Sequence, residues 1–261
     1  MIQMDSSHAD IETTKNTKVA ATSRVSPWLT SILYPIGQHL VLPFYFGKIE
    51  ISGQENLPTS GSVIVAPTHR SRWDAILVPA TIGKIATGRD PRYMVSVDEM
   101  KGFQGWVIRH MGGFAVDVKR PSIATLRHGV ELLQQEEMLV IFPEGGNLQE
   151  NRERKLNSLQ PGLARLALQA ELTQPDLGIK ILPISIYYSQ PNVPWRCEVK
   201  IRIGSPILVS EYSTGSIKKD AKRLTQDLEL TLKQLDSQTQ ATVKQDSPTS
   251  AVCSESKEFF V

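Results

Sequence analysis

The stretch Gly61-Ser-Val-Ile-Val-Ala-Pro-Thr-His-Arg-Ser-Arg-Trp-Asp-Ala75 decides the fold predicted for this chain. An apolar run from Val63 to Ala66 stops at Pro67, and a second apolar run begins at Ala75. Proline restricts the backbone around it and favours an end of the strand at this point. The pattern therefore predicts a buried strand, a turn and the start of a helix.

His69 and Asp74 lie five positions apart in this stretch. On one continuous helix they would point about 140° away from each other, so they pair only if His69 lies in the turn and Asp74 in the first helical turn. A carboxylate on one ring nitrogen fixes the tautomer and leaves the other nitrogen free to take a proton. The aspartate of the serine-protease triad orients its histidine in the same way. Without the serine of that triad, the nucleophile would be a substrate hydroxyl. From the spacing alone, a surface turn with a helix-capping Asp is the commoner outcome.

Composition limits the classes of protein to which the chain can belong. Its 261 residues are 40% hydrophobic, which is enough for a core, and its net charge is only +2, from 29 basic and 27 acidic residues. This balance argues against binding nucleic acid through bulk charge. The two cysteines, Cys197 and Cys253, form no metal-binding or redox pattern and indicate a reducing compartment. The polar N-terminus does not resemble a signal peptide.

The most apolar and aromatic segment covers residues 25–47 and follows a polar stretch, residues 1–24, that is predicted to be disordered. Pro35 and Pro43 interrupt the segment, which argues against a spanning helix. Aromatic residues at both ends favour a helix lying in the membrane interface, and the alternative is a helix that packs on the core. Six apolar residues share one predicted stripe: Trp28, Leu29, Ile32, Leu33, Ile36 and Leu40.

Residues 48–236 are predicted to form one α/β domain with a mixed, largely parallel sheet flanked by helices, because strand and helix patterns alternate. Strands are expected at residues 48–52, 63–66, 93–97, 114–118, 138–142, 179–188 and 198–203, and helices at 75–85, 103–111, 122–137, 161–172 and 217–235. Ligands bind beyond the carboxyl ends of such strands, so the turns after residues 66 and 142 should share one site. Residues 237–261 are Ser/Thr/Gln-rich and predicted to be a disordered tail.

Four short blocks, in order, resemble the glycerolipid acyltransferase family, and the resemblance covers roughly residues 40–210. Residues 69–74 match H-x-x-x-x-D, and residues 113–118 look like the G-x-[IF]-x-x-D-R block. Residues 142–147 are similar to F-P-E-G-T-R, and residues 182–184 to V-P-[VI]. One such block alone is weak, whereas four at suitable spacing are specific.

The resemblance implies transfer of an acyl group from coenzyme A or acyl carrier protein to a lipid hydroxyl, without a cofactor or metal. The implied acceptor is a lysolipid, 1-acylglycerol-3-phosphate in phospholipid synthesis, and the implied location is the cytoplasmic face of a membrane. His69 would be the general base and Asp74 its orienting partner. The implied acceptor-binding residues are Gly113, Phe142, Pro143, Glu144 and Gly145, with Lys119 and Arg120 as candidate cations. The implied acyl or thioester site is Leu182, Pro183 and Ile184.

The chain departs from the family pattern where a phosphate would be held. Val118 stands where the second block has Arg, and Gly146-Asn147 replaces Thr-Arg in the third block. Either neighbouring cations substitute, namely Lys119, Arg120, Arg152, Arg154 or Lys155, or the acceptor has no phosphate monoester, as in a lysophospholipid, a glycolipid or another lipid alcohol.

Three other classes of protein are possible: a serine hydrolase, a metalloprotein and a non-catalytic scaffold. A serine hydrolase lacks support because no G-x-S-x-G elbow is present. The spacing of His69, Asp74 and His110 fits no standard metal site. A non-catalytic membrane scaffold with the same fold stays open, and acyl-thioester consumption by the purified protein distinguishes it from an enzyme.

Overall fold

The apolar run that follows Gly61 forms a central strand, β2, of an eight-stranded mixed sheet. The structure is a computed structural model, and it describes residues 23–118, 120–145, 148, 151, 156 and 158–246. The strands are β1 (Lys48–Ser52), β2 (Val63–Pro67), β3 (Arg92–Ser96), β4 (Gly113–Val116), β5 (Met138–Val140), β6 (Lys180–Tyr188), β7 (Glu198–Ile203) and β8 (Ile207–Leu208).

The strand order is β1-β7-β6-β2-β5-β3-β4, with β8 paired to β6. Strands β6, β2, β5, β3 and β4 are mutually parallel, whereas β7 runs antiparallel to β6. The carboxyl ends of five strands therefore meet at one edge of the sheet, called here the carboxyl edge. Because the turn after β2 lies at this edge, the sheet brings it beside the turn after β5.

Helices cover both faces of the sheet. They are α1 (Pro27–Ile36), α2 (Leu42–Tyr45), α3 (Asp74–Ile82), α4 (Lys84–Thr87), α5 (Gly102–His110), α6 (Ile123–Gln134), α7 (Gly162–Thr173) and α8 (Ile217–Asp246). Alternate residues of β2 feed two cores: Ile64 and Ala66 pack with α6, α7 and α8, and Val63 and Val65 pack with α2 and α3. All five residues of β2 are buried. The predicted α/β fold with a mixed, largely parallel sheet is thus confirmed.

Three predicted helix ends differ from the structure, and the helix expected to reach residue 137 ends at Gln134. The helix expected over residues 75–85 ends at Ile82, and α4 follows after Gly83. A Cβ at Gly83 would lie 2.3 Å from the Pro79 carbonyl oxygen, so the backbone closes tightly there.

Helix α8 continues to Asp246, so the predicted domain end at residue 236 and the start of a disordered tail at 237 were wrong. Thr239 is buried on this extension, and Arg202 of β7 bonds to Gln238 and Thr242 at 3.1 and 3.4 Å. Residues 247–261 of the predicted tail, like residues 1–22, lie outside the described residues.

The N-terminal segment is helical from Pro27 to Tyr45, with a π-helical turn at Gly37–Val41 between α1 and α2. Pro43 cannot donate an intrahelical hydrogen bond, and a π turn next to it accommodates that loss. The predicted stripe divides, because Leu29 is buried and Leu33 is half-buried. The exposed apolar residues recur every fourth position: Trp28, Ile32, Ile36, Leu40 and Phe44.

In the part of the chain that the structure describes, no helix has the length and apolar character to cross a bilayer.

Candidate active site

The turn after β2 is fixed to β6 by two hydrogen bonds at Thr68. Its backbone N–H donates to the Ile184 carbonyl at 2.9 Å, and its hydroxyl accepts from the Ile186 N–H at 2.9 Å. Both bonds are made in buried surroundings, since Thr68 is 1% exposed. The turn therefore starts from a rigid position at the carboxyl edge, and His69 follows directly.

His69 and Asp74 approach each other across this turn. His69 Nδ1 lies 2.9 Å from Asp74 Oδ2, with Asp74 fully buried and the imidazole partly open to solvent. Asp74 is the first residue of α3 and His69 lies in the turn before it, which is the arrangement that the spacing predicted for a pair. The neutral imidazole donates from Nδ1 to the carboxylate, which leaves Nε2 able to accept a proton.

The Asp74 carboxylate has three further donors. The backbone N–H groups of Arg70 and Ser71 donate to Oδ2 at 2.7 and 2.8 Å. The Tyr188 hydroxyl donates to Oδ1 at 2.6 Å. A buried carboxylate held by several donors keeps one position, so the imidazole that bonds to it is also held in one orientation.

Tyr188 ends β6, and sequence reasoning missed its role. Burial, and then the nearby Asp74 carboxylate, raise the pKa of Tyr188 well above its usual range, so the phenol stays protonated and remains a donor. One signal was available: Leu182, Ile184, Ile186 and Tyr188 alternate along the strand and face one core. A tyrosine at the end of such a row places its hydroxyl at the carboxyl edge.

Glu144 connects the turn after β5 to the turn after β2. Its buried carboxylate accepts from Arg70 Nη1 at 2.8 Å through both oxygens and from the His69 backbone N–H at 3.0 Å. We expected the Glu144 side chain to contact the acceptor. In the structure its carboxylate faces protein and is 0% exposed. Glu144 instead holds the backbone that carries His69.

The other residues of this turn surround the imidazole or shape the loop. The Phe142 ring lies against the His69 ring, with the centroids 4.2 Å apart and the planes tilted by 32°. The Pro143 carbonyl accepts from the Gln160 N–H at 2.9 Å. Gly145 has φ +57°, where a side chain would be strained. The Phe142 side chain thus lies against the His69 imidazole, whereas the Glu144 carboxylate contacts the His69 backbone.

The residues expected to form the acyl or thioester site, Leu182, Pro183 and Ile184, lie inside the sheet. All three side chains are buried in the middle of β6, beside β2, and offer no surface to a substrate. Their contribution to the site comes from the backbone, since the Ile184 carbonyl accepts from Thr68.

Gly113, which was expected to bind the acceptor, lies away from the turn that carries His69. It is buried at the start of β4, level with Tyr93 and so with Val140, and a Cβ there would meet Ile108 Cγ2 at 2.4 Å. Three strand spacings separate β4 from β2, which is about 14 Å. Gly113 therefore permits close packing of α5 on β4.

The candidate cations have different outcomes. Arg120 is exposed beyond the end of β4, and its backbone N–H donates to Asp117 Oδ1 at 3.1 Å. Arg72, a further cation in the turn that carries His69, pairs with Glu99 at 3.0 Å on the surface. The other candidate cations, Lys119, Arg152, Arg154 and Lys155, lie outside the described residues, as do Gly146 and Asn147.

The described residues offer acid–base chemistry at this edge. Among them, no group of three or more His, Cys, Asp and Glu is placed to hold a metal ion. What the edge provides is one oriented imidazole, backed by a buried carboxylate and flanked by an aromatic ring. Such a group can take a proton from a hydroxyl and return it to a leaving group.

Known proteins resemble this chain in both sequence and fold. The family model described as Acyltransferase matches residues 48–187, more than half of the chain. A 1-acyl-sn-glycerol-3-phosphate acyltransferase of Bacillus subtilis (strain 168) is 23% identical over 194 residues, covering 73% of this chain and 89% of that protein.

A similar fold occurs in the crystal structure of the 1-acyl-sn-glycerophosphate (LPA) acyltransferase PlsC from Thermotoga maritima. The TM-score is 0.61 at 19% identity, over 81% of this chain and 79% of that one. This likeness concerns the fold, whereas the family model covers the strands and turns that carry His69, Asp74 and Glu144. The chain therefore belongs to the acyltransferase family and is an acyltransferase.

Proposed function

We propose that this acyltransferase moves a fatty acyl group from a thioester of coenzyme A or acyl carrier protein to the hydroxyl of a lysolipid. The observation that carries the proposal is the 2.9 Å contact between His69 Nδ1 and the buried Asp74 carboxylate at the carboxyl edge. His69 Nε2 takes the proton of the acceptor hydroxyl, and the oxygen attacks the thioester carbonyl carbon. Collapse of the tetrahedral intermediate breaks the C–S bond, and the imidazolium returns the proton to the thiolate.

Lysophosphatidate is the first candidate acceptor, because the Bacillus subtilis relative is named a 1-acyl-sn-glycerol-3-phosphate acyltransferase. A second candidate is an acceptor without a phosphate monoester, and the charges of the turn favour it. Arg70 is bound by Glu144 and Arg72 by Glu99, so the two cations that flank His69 in sequence are already paired with carboxylates. A phosphate monoester carries nearly two negative charges and is usually held by Arg or Lys.

An acceptor comparison separates the two candidates. Purified protein in detergent is given one radiolabelled acyl thioester, as coenzyme A or carrier-protein conjugate, with lysophosphatidate, lysophosphatidylcholine or monoacylglycerol. If the first candidate is right, lysophosphatidate gives at least about tenfold higher kcat/KM than the other two acceptors, because one charge-assisted contact contributes about 1.5–3 kcal/mol. Equal or higher kcat/KM with lysophosphatidylcholine or monoacylglycerol contradicts the first candidate. No thiol release with any acceptor contradicts the enzymatic proposal.

We also propose that the exposed stripe on α1 and α2 binds a membrane surface on its cytoplasmic side. Leu40 is 64% exposed and Phe44 is 72% exposed, and both are large apolar residues on one helical face. Trp195 adds an exposed ring beside the stripe, since its Nε1 donates to the Phe44 carbonyl at 3.1 Å. Amphipathic helices with such a face lie in the interface of a bilayer.

The double substitution Leu40→Glu and Phe44→Glu is expected to weaken binding to anionic vesicles at least about tenfold. Each apolar side chain that enters the bilayer contributes about 1.5–3 kcal/mol to binding. Both positions are exposed, so folding should not change. Sedimentation with vesicles of phosphatidylethanolamine and phosphatidylglycerol measures the effect. Leu230→Glu, at a 57% exposed leucine of α8, is the matched control. Equal sedimentation of the double variant and the control contradicts the membrane proposal.

A further inference from the structure

We infer that Tyr188 is a positioning residue that sets how strongly Asp74 acts on His69. The inference rests on the proposed role of His69 and deepens it. Its basis is a division of the Asp74 carboxylate into two sides. Tyr188 donates to Oδ1 at 2.6 Å, whereas His69, Arg70 and Ser71 all lie on Oδ2.

The Tyr188 bond is short and shielded from water. Asp74 is 0% exposed and Tyr188 is 8% exposed, so the phenol is the partner that Oδ1 has in place of solvent. Hydrogen bonds to ionised groups are the stronger ones, and low dielectric strengthens them further. The phenol therefore draws negative charge toward Oδ1 and reduces the charge that Oδ2 presents to the imidazole.

The position of Tyr188 is fixed by the sheet. It is the last residue of β6, and the β6–β7 ladder pairs it with Val199. Its ring packs toward Phe46, with the centroids 6.2 Å apart. A phenol held at both ends tolerates little movement of Asp74, so it also limits rotation of the carboxylate about its Cβ–Cγ bond.

The charged and titratable groups that face this pair come from four parts of the fold. Asp74 is on α3, Arg70 and His69 are on the preceding turn, and Glu144 follows β5. Cys197, which precedes β7, faces Tyr188 as well. Arg70 and Glu144 are bonded to each other, so their opposite charges largely offset each other at His69.

The test is Tyr188→Phe, with Tyr187→Phe as the matched control, because the neighbouring tyrosine points to the other face of β6 and is only half-buried. Loss of the phenol hydroxyl concentrates charge on Oδ2 and stabilises the imidazolium. The acid limb of the kcat/KM profile is therefore expected to move to higher pH by about 0.5 units. We expect kcat to fall about tenfold, because the Asp74 carboxylate becomes freer to rotate and holds the imidazole less well. KM should change less than twofold.

A second readout does not depend on the acceptor or on turnover. The titration of the His69 imidazole, followed by NMR in protein carrying ¹³C-labelled histidine, should move upward by the same amount in Tyr188→Phe and not in Tyr187→Phe. If His69→Ala keeps its activity, the proposed role of His69 fails, and this titration still decides the inference about Tyr188.

Site-specific incorporation of 3,5-difluorotyrosine at position 188 covers the case in which Tyr188→Phe does not fold. A more acidic phenol of nearly the same shape bonds more strongly to Asp74, so the acid limb and the imidazole titration should move to lower pH. The inference is overturned if both quantities match the wild type in every folded variant, even where thermal stability has fallen, because a purely structural tyrosine would give that result.

Discussion

Replacing His69 by alanine is expected to lower the rate of acyl transfer about 10²–10⁴-fold, which is the contribution of a well-placed general base. The variant should fold, because the imidazole lies at the mouth of the turn and is 29% exposed. Asp74 also keeps its other three donors, the N–H groups of Arg70 and Ser71 and the Tyr188 hydroxyl. Thiol release from the acyl thioester, in the presence of a lysolipid, measures the rate.

His110→Ala is the matched control for this loss. The His110 ring bonds through Nδ1 to the Trp106 carbonyl of the same helix at 2.8 Å and lies against the Trp106 ring, with the centroids 4.4 Å apart. It should keep the wild-type rate within about twofold, since a half-buried surface position away from the site has a small effect. A folded His69→Ala protein with more than a tenth of wild-type activity would contradict the role of His69 as general base.

The fold and the turn at its centre could be predicted from local pattern. An apolar run ended by Pro67, followed by a second run from Ala75, fixes a strand, a turn and a helix in sequence, and the structure has β2 and α3 there. The spacing of His69 and Asp74 excludes a continuous helix. Both conclusions use residues close in the chain, where periodicity and backbone restriction carry the information.

The partners of this turn could not be predicted in the same way, because they are distant in sequence. Glu144 lies 75 positions from His69, and Tyr188 lies 114 positions from Asp74. A motif shows that a carboxylate follows β5, but only the sheet order shows that it faces Arg70 rather than a ligand. The burial of Leu182, Pro183 and Ile184 could not be predicted from their motif for the same reason, since a strand in mid-sheet buries both faces.

The C-terminal part of α8 shows a different limit. Apolar periodicity ends near Leu235, and the Ser/Thr/Gln-rich residues beyond it resemble a disordered tail. The helix continues because its polar side chains find partners in β7, where Arg202 bonds to Gln238 and Thr242. Polar docking between elements leaves no hydrophobic pattern, so a sequence scan ends the helix too early.

Asp74→Asn is expected to lower turnover on the order of 10²-fold, which is less than the loss from His69→Ala, because the base remains while its orienting charge is removed. The substitution preserves shape. The asparagine oxygen can replace Oδ2 and accept from His69, Arg70 and Ser71, and its NH₂ can donate to the Tyr188 hydroxyl, which turns to accept. Asp74→Ala offers no such replacement and leaves buried donors unpaired, at about 1–3 kcal/mol each, so it tests stability rather than catalysis.

The pH profile of Asp74→Asn distinguishes loss of charge from loss of structure. Without the carboxylate beside it, the imidazolium of His69 is less stable, so the acid limb of the kcat/KM profile should move to lower pH. This is the opposite direction from Tyr188→Phe, in which the same carboxylate acts more strongly on the ring. Opposite shifts of the acid limb in Asp74→Asn and Tyr188→Phe would not result from general damage to the fold. An Asp74→Asn protein with wild-type turnover, or with an unshifted acid limb at reduced turnover, would rule out an electrostatic role for Asp74.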